Sequence, residues 1–197
     1  AGNILKTDLG MAFNAAAYAE AISAEATKAL RREVATYQYS PPPGPPTEVI
    51  AGKRVLEGVT EAERSPGAVQ LNESADAGFH RAMWSGVPAT PGRTNTMIVD
   101  AWTDRPVNVR LEMADYANSY GRADFDLLGQ KTIATNGSNV VAEITDLGQG
   151  WRRLTLTLPV VADTLSFNVS MLSPDGEVSY PGGNRSVVIT EPTVKVQ

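Results

Sequence analysis

Asn95-Thr96-Met97-Ile98-Val99-Asp100-Ala101-Trp102 decides the fold class, together with Val107-Asn108-Val109-Arg110-Leu111-Glu112-Met113 shortly after it. Met97, Val99 and Ala101 share one side of an extended chain, and Val107, Val109, Leu111 and Met113 share one side of the next. A period of two marks a strand with one face in a core and the other in solvent. Asp104-Arg105-Pro106 between them is a turn signal, so the two read as a strand pair.

The same period recurs further along. Arg153-Leu154-Thr155-Leu156-Thr157-Leu158 turns its leucines one way, and Leu165, Phe167, Val169 and Met171 alternate with Ser166, Asn168 and Ser170. More strands are expected at Val49–Val59, Ala68–Leu71, Phe79–Trp84, Ala123–Leu127, Val140–Thr145 and Arg185–Glu191. Asn136-Gly137, Leu147-Gly148-Gln149-Gly150, Pro174-Asp175-Gly176 and Pro181-Gly182-Gly183 separate them as turns. Many short strands at this spacing predict an all-β antiparallel β-sandwich, a jelly roll, over residues 48–197.

Upstream the pattern changes. From Thr7 to Thr36 alanine is dense, and neither glycine nor proline follows Gly10, which predicts an α-helix. A heptad can be written with Leu5, Ala12, Ala19 and Ala26 at one seam position and Leu9, Ala16, Ser23 and Leu30 at the other. Such small residues permit close approach but bury little area each. The helix is therefore expected to pack on something else, and residues 1–39 read as an attachment and oligomerisation segment. Ser40-Pro41-Pro42-Pro43-Gly44-Pro45-Pro46 is a stiff extended linker, residues 40–47.

Composition narrows the function. The 197 residues carry a net charge of −5, which argues against a nucleic-acid partner. There is no cysteine and only one histidine, His80, so thiol chemistry and multi-histidine metal sites are excluded. No apolar run approaches the ~20 residues of a membrane span, so no membrane insertion is expected. Ala1 is a residue that initiator-methionine removal exposes, which leads to the expectation of cytoplasmic synthesis. No Gly-x-Ser-x-Gly elbow and no glycine-rich phosphate loop occurs. The expectation is a protein that is not an enzyme and needs no cofactor; a structural calcium stays open.

From Ala68 to Val196 the chain resembles the galactose-binding-like jelly roll of carbohydrate-binding modules, as found in glycanases and in phage or gene-transfer-agent-type head spike and tail fibre proteins. The segments Thr94–Trp102 and Val107–Met113, then Ala123-Asp124-Phe125-Asp126-Leu127-Leu128-Gly129, carry the resemblance. So do Val141-Ala142-Glu143-Ile144, the step Gly148-Gln149-Gly150-Trp151-Arg152-Arg153-Leu154, and Val187-Val188-Ile189 after a Gly-Gly turn. Arg152 stands where the family usually has tyrosine. The resemblance implies a non-catalytic accessory spike or fibre protein on a phage-like particle. Its partners would be cell-surface polysaccharide, other particle proteins and further copies of itself. The alternatives are a purely structural decoration protein of the particle, or a carbohydrate-binding module of a secreted glycanase.

Parity supplies the candidate site. With the aliphatic faces inward, Asp100 and Trp102 point outward from one strand, and Asn108, Arg110 and Glu112 from the next. Arg153, Thr155, Asn168 and Ser170 do so from others. A flat aromatic for a sugar's C–H face, with planar polar groups for its hydroxyls, is what carbohydrate recognition needs. Trp102 with Asp100, Arg110 and Glu112 has that composition, although the same residues also fit a solvated, charge-paired face. Tyr116, Tyr120 and Tyr180 are expected in polar loops suited to adaptable recognition. Trp84 and His80 line a loop end or cover the core edge, and Trp151 supports a strand entry.

Overall fold

The structure, a computed structural model, describes residues 52–115 and 119–197. The expected helix, the proline-rich linker and Tyr116 lie outside the described residues. In chain order the strands are β1 Lys53–Glu57, β2 Val59–Ser65, β3 Ala68–Glu73, β4 Ala77–Phe79 and β5 Arg81–Pro88. Then come β6 Thr94–Trp102, β7 Asn108–Ala114, β8 Tyr120–Asp126, β9 Lys131–Asn136 and β10 Val141–Gly148. The last are β11 Trp151–Pro159, β12 Thr164–Leu172, β13 Ser179–Pro181, β14 Ser186–Thr190 and β15 Thr193–Val196.

These form an antiparallel β-sandwich. One sheet runs β1-β5-β12-β7-β8-β9. The other runs β10-β11-β6-β14-β3-β2, with β15 also paired to β6. A small third sheet joins β13 to β4. The core holds the residues the alternation assigned to it: Met97, Val99, Leu154 and Leu156 from the second sheet, and Val109, Leu111, Phe125, Phe167 and Val169 from the first.

Three differences from the sequence reading have local causes. β6 and β7 are not a hairpin, because they belong to different sheets. The Thr103 hydroxyl donates to the Arg105 carbonyl and accepts from the Arg105 N–H, which builds a corner between the sheets. The expected strand Val49–Val59 breaks at Gly58, whose φ of 61° lets the chain leave the first sheet and enter the second. The expected strand Phe79–Trp84 breaks at His80, fully buried, whose ring nitrogens bond the Gly58 and Tyr180 carbonyls. β9, β13 and β15 lie outside the expected strands, and β2 and β4 overlap them by one residue each. β9 is an edge strand exposed along nearly its whole length, so its sequence does not alternate.

A Cβ on Gly58 would sit 1.9 Å from the Phe79 carbonyl oxygen, whereas one on Gly67, also at positive φ, would meet nothing within 4 Å. Both substitutions to alanine carry the left-handed penalty of roughly 1–2 kcal/mol. Gly58→Ala is expected to cost at least about 2 kcal/mol more than Gly67→Ala, read from urea midpoints. Equal costs would show that the close approach at Gly58 does not constrain the fold.

Candidate functional site

The core leaves each sheet an outer face. On the first sheet two rows of side chains run across all the strands. One row is Glu57, Arg81, Ser170, Arg110, Asp124 and Ala134, from consecutive register pairs. It is charge-paired: Arg81 bonds Glu57, and Arg110 forks onto Asp124 at 2.6 and 2.8 Å. The Asp124 hydrogen bond, opposed by burial and assisted by the same carboxylate's charge, holds the Arg110 pKa above its ordinary value.

The neighbouring row is Val55, Met83, Asn168, Glu112, Arg122 and Asn136. Tyr120 stands one row further on, opposite Ala114 at the start of β8, with 41% of its surface exposed. Glu112 ties the row together: Asn168 Nδ2 donates to one carboxylate oxygen at 2.7 Å and the Tyr120 hydroxyl donates to the other at 2.9 Å. Partial burial, this hydrogen bond and the carboxylate's charge raise the Tyr120 pKa, against a smaller pull from Arg122. Tyr120 thus stays neutral and fixed, with an open ring face.

Beside Tyr120 lies a pocket of about 290 Å³ lined by Ser119, Gly137, Ser138, Asn139, Leu158 and Pro159. That is near the lower end, about 300 Å³, of small-ligand sites. The Asn136-Gly137 turn makes its wall. Gly137 sits at φ 122°, where a Cβ would fall 2.3 Å from the Tyr120 carbonyl oxygen. Asn139 adopts φ 58°, which asparagine tolerates. Fully buried Asp115 holds the other wall by accepting the N–H groups of Ser119 at 2.7 Å, Val161 at 2.6 Å and Ala162 at 3.0 Å.

The residues expected to form one site are distributed differently. Arg110, Glu112 and Tyr120 share the outer face of the first sheet, but Arg110 is 7% exposed and committed to Asp124. Asp100 and Trp102 lie on the outer face of the second sheet, so they do not meet Arg110 or Glu112. The expectation of Trp102 as an exposed platform is corrected: it is 5% exposed, in a cluster with Trp151, Val188, Ala68 and Leu147. Its parity was right, but a local apolar cluster covers the ring. Asp100 is buried and takes the fork of Arg153, two bonds of 2.8 Å, which raises the Arg153 pKa.

Tyr180 is corrected too, being a buried member of the β13–β4 pair rather than a loop residue. Its hydroxyl donates to Glu73 at 2.6 Å and its ring lies 4.5 Å from that of His80. Burial acts to raise the Glu73 pKa. Hydrogen bonds from Tyr180 and Arg185, the Arg185 charge and the Gly183 N–H outweigh it and hold the carboxyl below its ordinary value. Trp84 is core, its Nε1 donating to Glu191. Arg122, Asn136 and Asn168 join the site without having been selected; the parity that placed Glu112 outward contains the signal for all three.

No family model and no curated protein matches the sequence. Solved structures that match include TmCBM61 in complex with beta-1,4-galactotriose, at 12% identity and a TM-score of 0.44, covering 82% of this chain and 92% of that one. A CBM4 structure matches at 12% identity and a TM-score of 0.40, covering 72% and 80%. CBM35 from Cellvibrio japonicus Abf62 matches at 10% and 0.34, covering 76% and 91%.

Two predictions follow from the corrected placements. Trp102→Ala removes a buried indole and is expected to lower stability by ~3–5 kcal/mol in denaturant titrations; a cost under about 1 kcal/mol would mean the ring is not packed. Glu73 has a depressed folded-state pKa, so its contribution is complete above the ordinary value near 4.5 and is lost as pH falls below it. Glu73→Gln should be less stable at neutral pH, and its stability should fall less steeply below about pH 4.5 than that of the unsubstituted chain. Parallel curves would remove Glu73 from the acid transition.

Proposed function

We propose that this chain is a non-catalytic binding protein whose ligand is a polysaccharide, held on the outer face of the first sheet and in the pocket beside Tyr120. The observation that carries the reading is the state of Tyr120. Its hydroxyl is anchored to Glu112 while 41% of its surface stays exposed, between a row of amide and carboxylate groups and a polar pocket. A fixed aromatic face suits the C–H side of a sugar ring, and planar amides suit paired hydroxyls. Asn168, Asn136, Ser138 and Asn139 supply neutral donors and acceptors around it. The acids of this face are already engaged, Glu112 by Asn168 and Tyr120 and Asp124 by Arg110, which favours binding over acid–base chemistry.

Affinity electrophoresis of the full chain against a polysaccharide panel tests the reading. Ring stacking contributes roughly 0.5–1.5 kcal/mol, so Tyr120→Ala is expected to weaken binding about three- to tenfold. Tyr120→Phe keeps the ring and loses only the anchor, so it should fall between. Retention of full affinity in Tyr120→Ala, or no binding to any polymer by the unsubstituted chain, would sink it.

A further inference from the structure

We infer that the polysaccharide is acidic, and that Arg122 takes its carboxylate groups; this rests on the binding reading above and narrows it. Among the described residues Arg54, Arg81, Arg110, Arg152, Arg153 and Arg185 each bond a carboxylate. Arg122 bonds none among the described residues, although it is half-buried on β8, between β7 and the edge strand β9. Register sets it directly opposite Glu112, the position where a cross-strand ion pair ordinarily forms. Glu112 instead has its two oxygens taken by Asn168 Nδ2 and the Tyr120 hydroxyl. On the other side Arg122 faces Asn136, which carries no charge.

The result is a guanidinium with no carboxylate among the described residues, interacting with the Tyr120 hydroxyl, one residue pair along β8 from that ring and one strand from the turn that walls the pocket. A guanidinium fork matches a planar carboxylate in two parallel bonds. A sugar ring seated on Tyr120 and bearing a carboxylate presents both complements together: a C–H face for the ring and an anion for Arg122. The adjacent Arg110–Asp124 pair is internally neutral and offers the anion no competing charge.

The test uses the full chain, a panel of uronic-acid polymers such as polygalacturonate and alginate, and the same polymers after carboxyl reduction. The expected result is at least tenfold tighter binding to an acidic polymer than to its reduced form. Arg122→Gln should abolish that difference, bringing the ratio of the two affinities close to one whatever its effect on binding to the reduced polymer. Arg122→Lys, a charge without the fork, should restore part of it. Affinity for the acidic polymer should fall with added salt in the unsubstituted chain and not in Arg122→Gln. Equal affinity for acidic and reduced polymers, or no effect of Arg122→Gln, would overturn the acidic ligand and leave the binding reading standing. Failure to bind any polymer, acidic or neutral, would overturn both.

Discussion

Met97, Val99, Leu154 and Leu156 of one sheet share a core with Leu111, Val169, Phe125 and Phe167 of the other, and that shared burial sets the register of both sheets. Strand periodicity is two, so a slip of one residue would carry Asp100 or Arg110 inward and an apolar set outward. Burying an unpaired charge in such an interior is expensive, which leaves little freedom in the pairing. Once the inner face is fixed, the outer rows follow. Their members are held about 4.5–5.5 Å from cross-strand neighbours and must reach terms with them.

The two sheets reach different terms. On the second, Trp102, Trp151, Val188 and Ala68 build a small apolar cluster outside the main core, and Asp100 is closed by Arg153. Around Trp102 and Asp100 that face is taken up by its own contacts. On the first, one row is neutralised by Arg81–Glu57 and Arg110–Asp124. The next row mixes Val55, Met83, two amides, one acid and one guanidinium, and an exposed aromatic flanks it two residues back along β8. Asp115 then fixes the end of the sandwich by gathering three backbone N–H groups, so that the pocket beside Tyr120 rests on a rigid base rather than on loop packing.

Where core burial dictates the residue pattern, the sequence is readable: Thr94–Trp102 was expected as a strand and is β6, and the leucines of β11 point where alternation put them. Sheet membership was not readable. Consecutive alternating segments look alike whether they pair or cross between sheets, and the Thr103–Arg105 corner that separates β6 from β7 resembles a hairpin turn in sequence. That one ambiguity split the expected site, placing Trp102 and Asp100 on the opposite sheet from Glu112. Parity also cannot reveal that an outward face is covered, as at Trp102, nor that a tyrosine beside Pro181-Gly182-Gly183 is buried against His80. The site that did assemble, with Glu112, Tyr120 and Arg122, depends on cross-strand register, a long-range property.

The hydrogen-bond choice made by Glu112 is the step on which the character of this face turns. A partly exposed cross-strand ion pair contributes only about 0–1 kcal/mol, so forgoing Glu112–Arg122 costs little. Two hydrogen bonds to the same carboxylate offset that cost and, in addition, fix the Asn168 amide and the Tyr120 ring. The unliganded protein therefore loses almost nothing by leaving Arg122 without a carboxylate among the described residues. A ligand that covers the row removes water from around the guanidinium, and a charge-assisted bond formed there is stronger than the solvated pair it replaces. The arrangement holds an aromatic face rigid and keeps a cation available beside it, which the ordinary Glu–Arg pairing at the same two positions would not do.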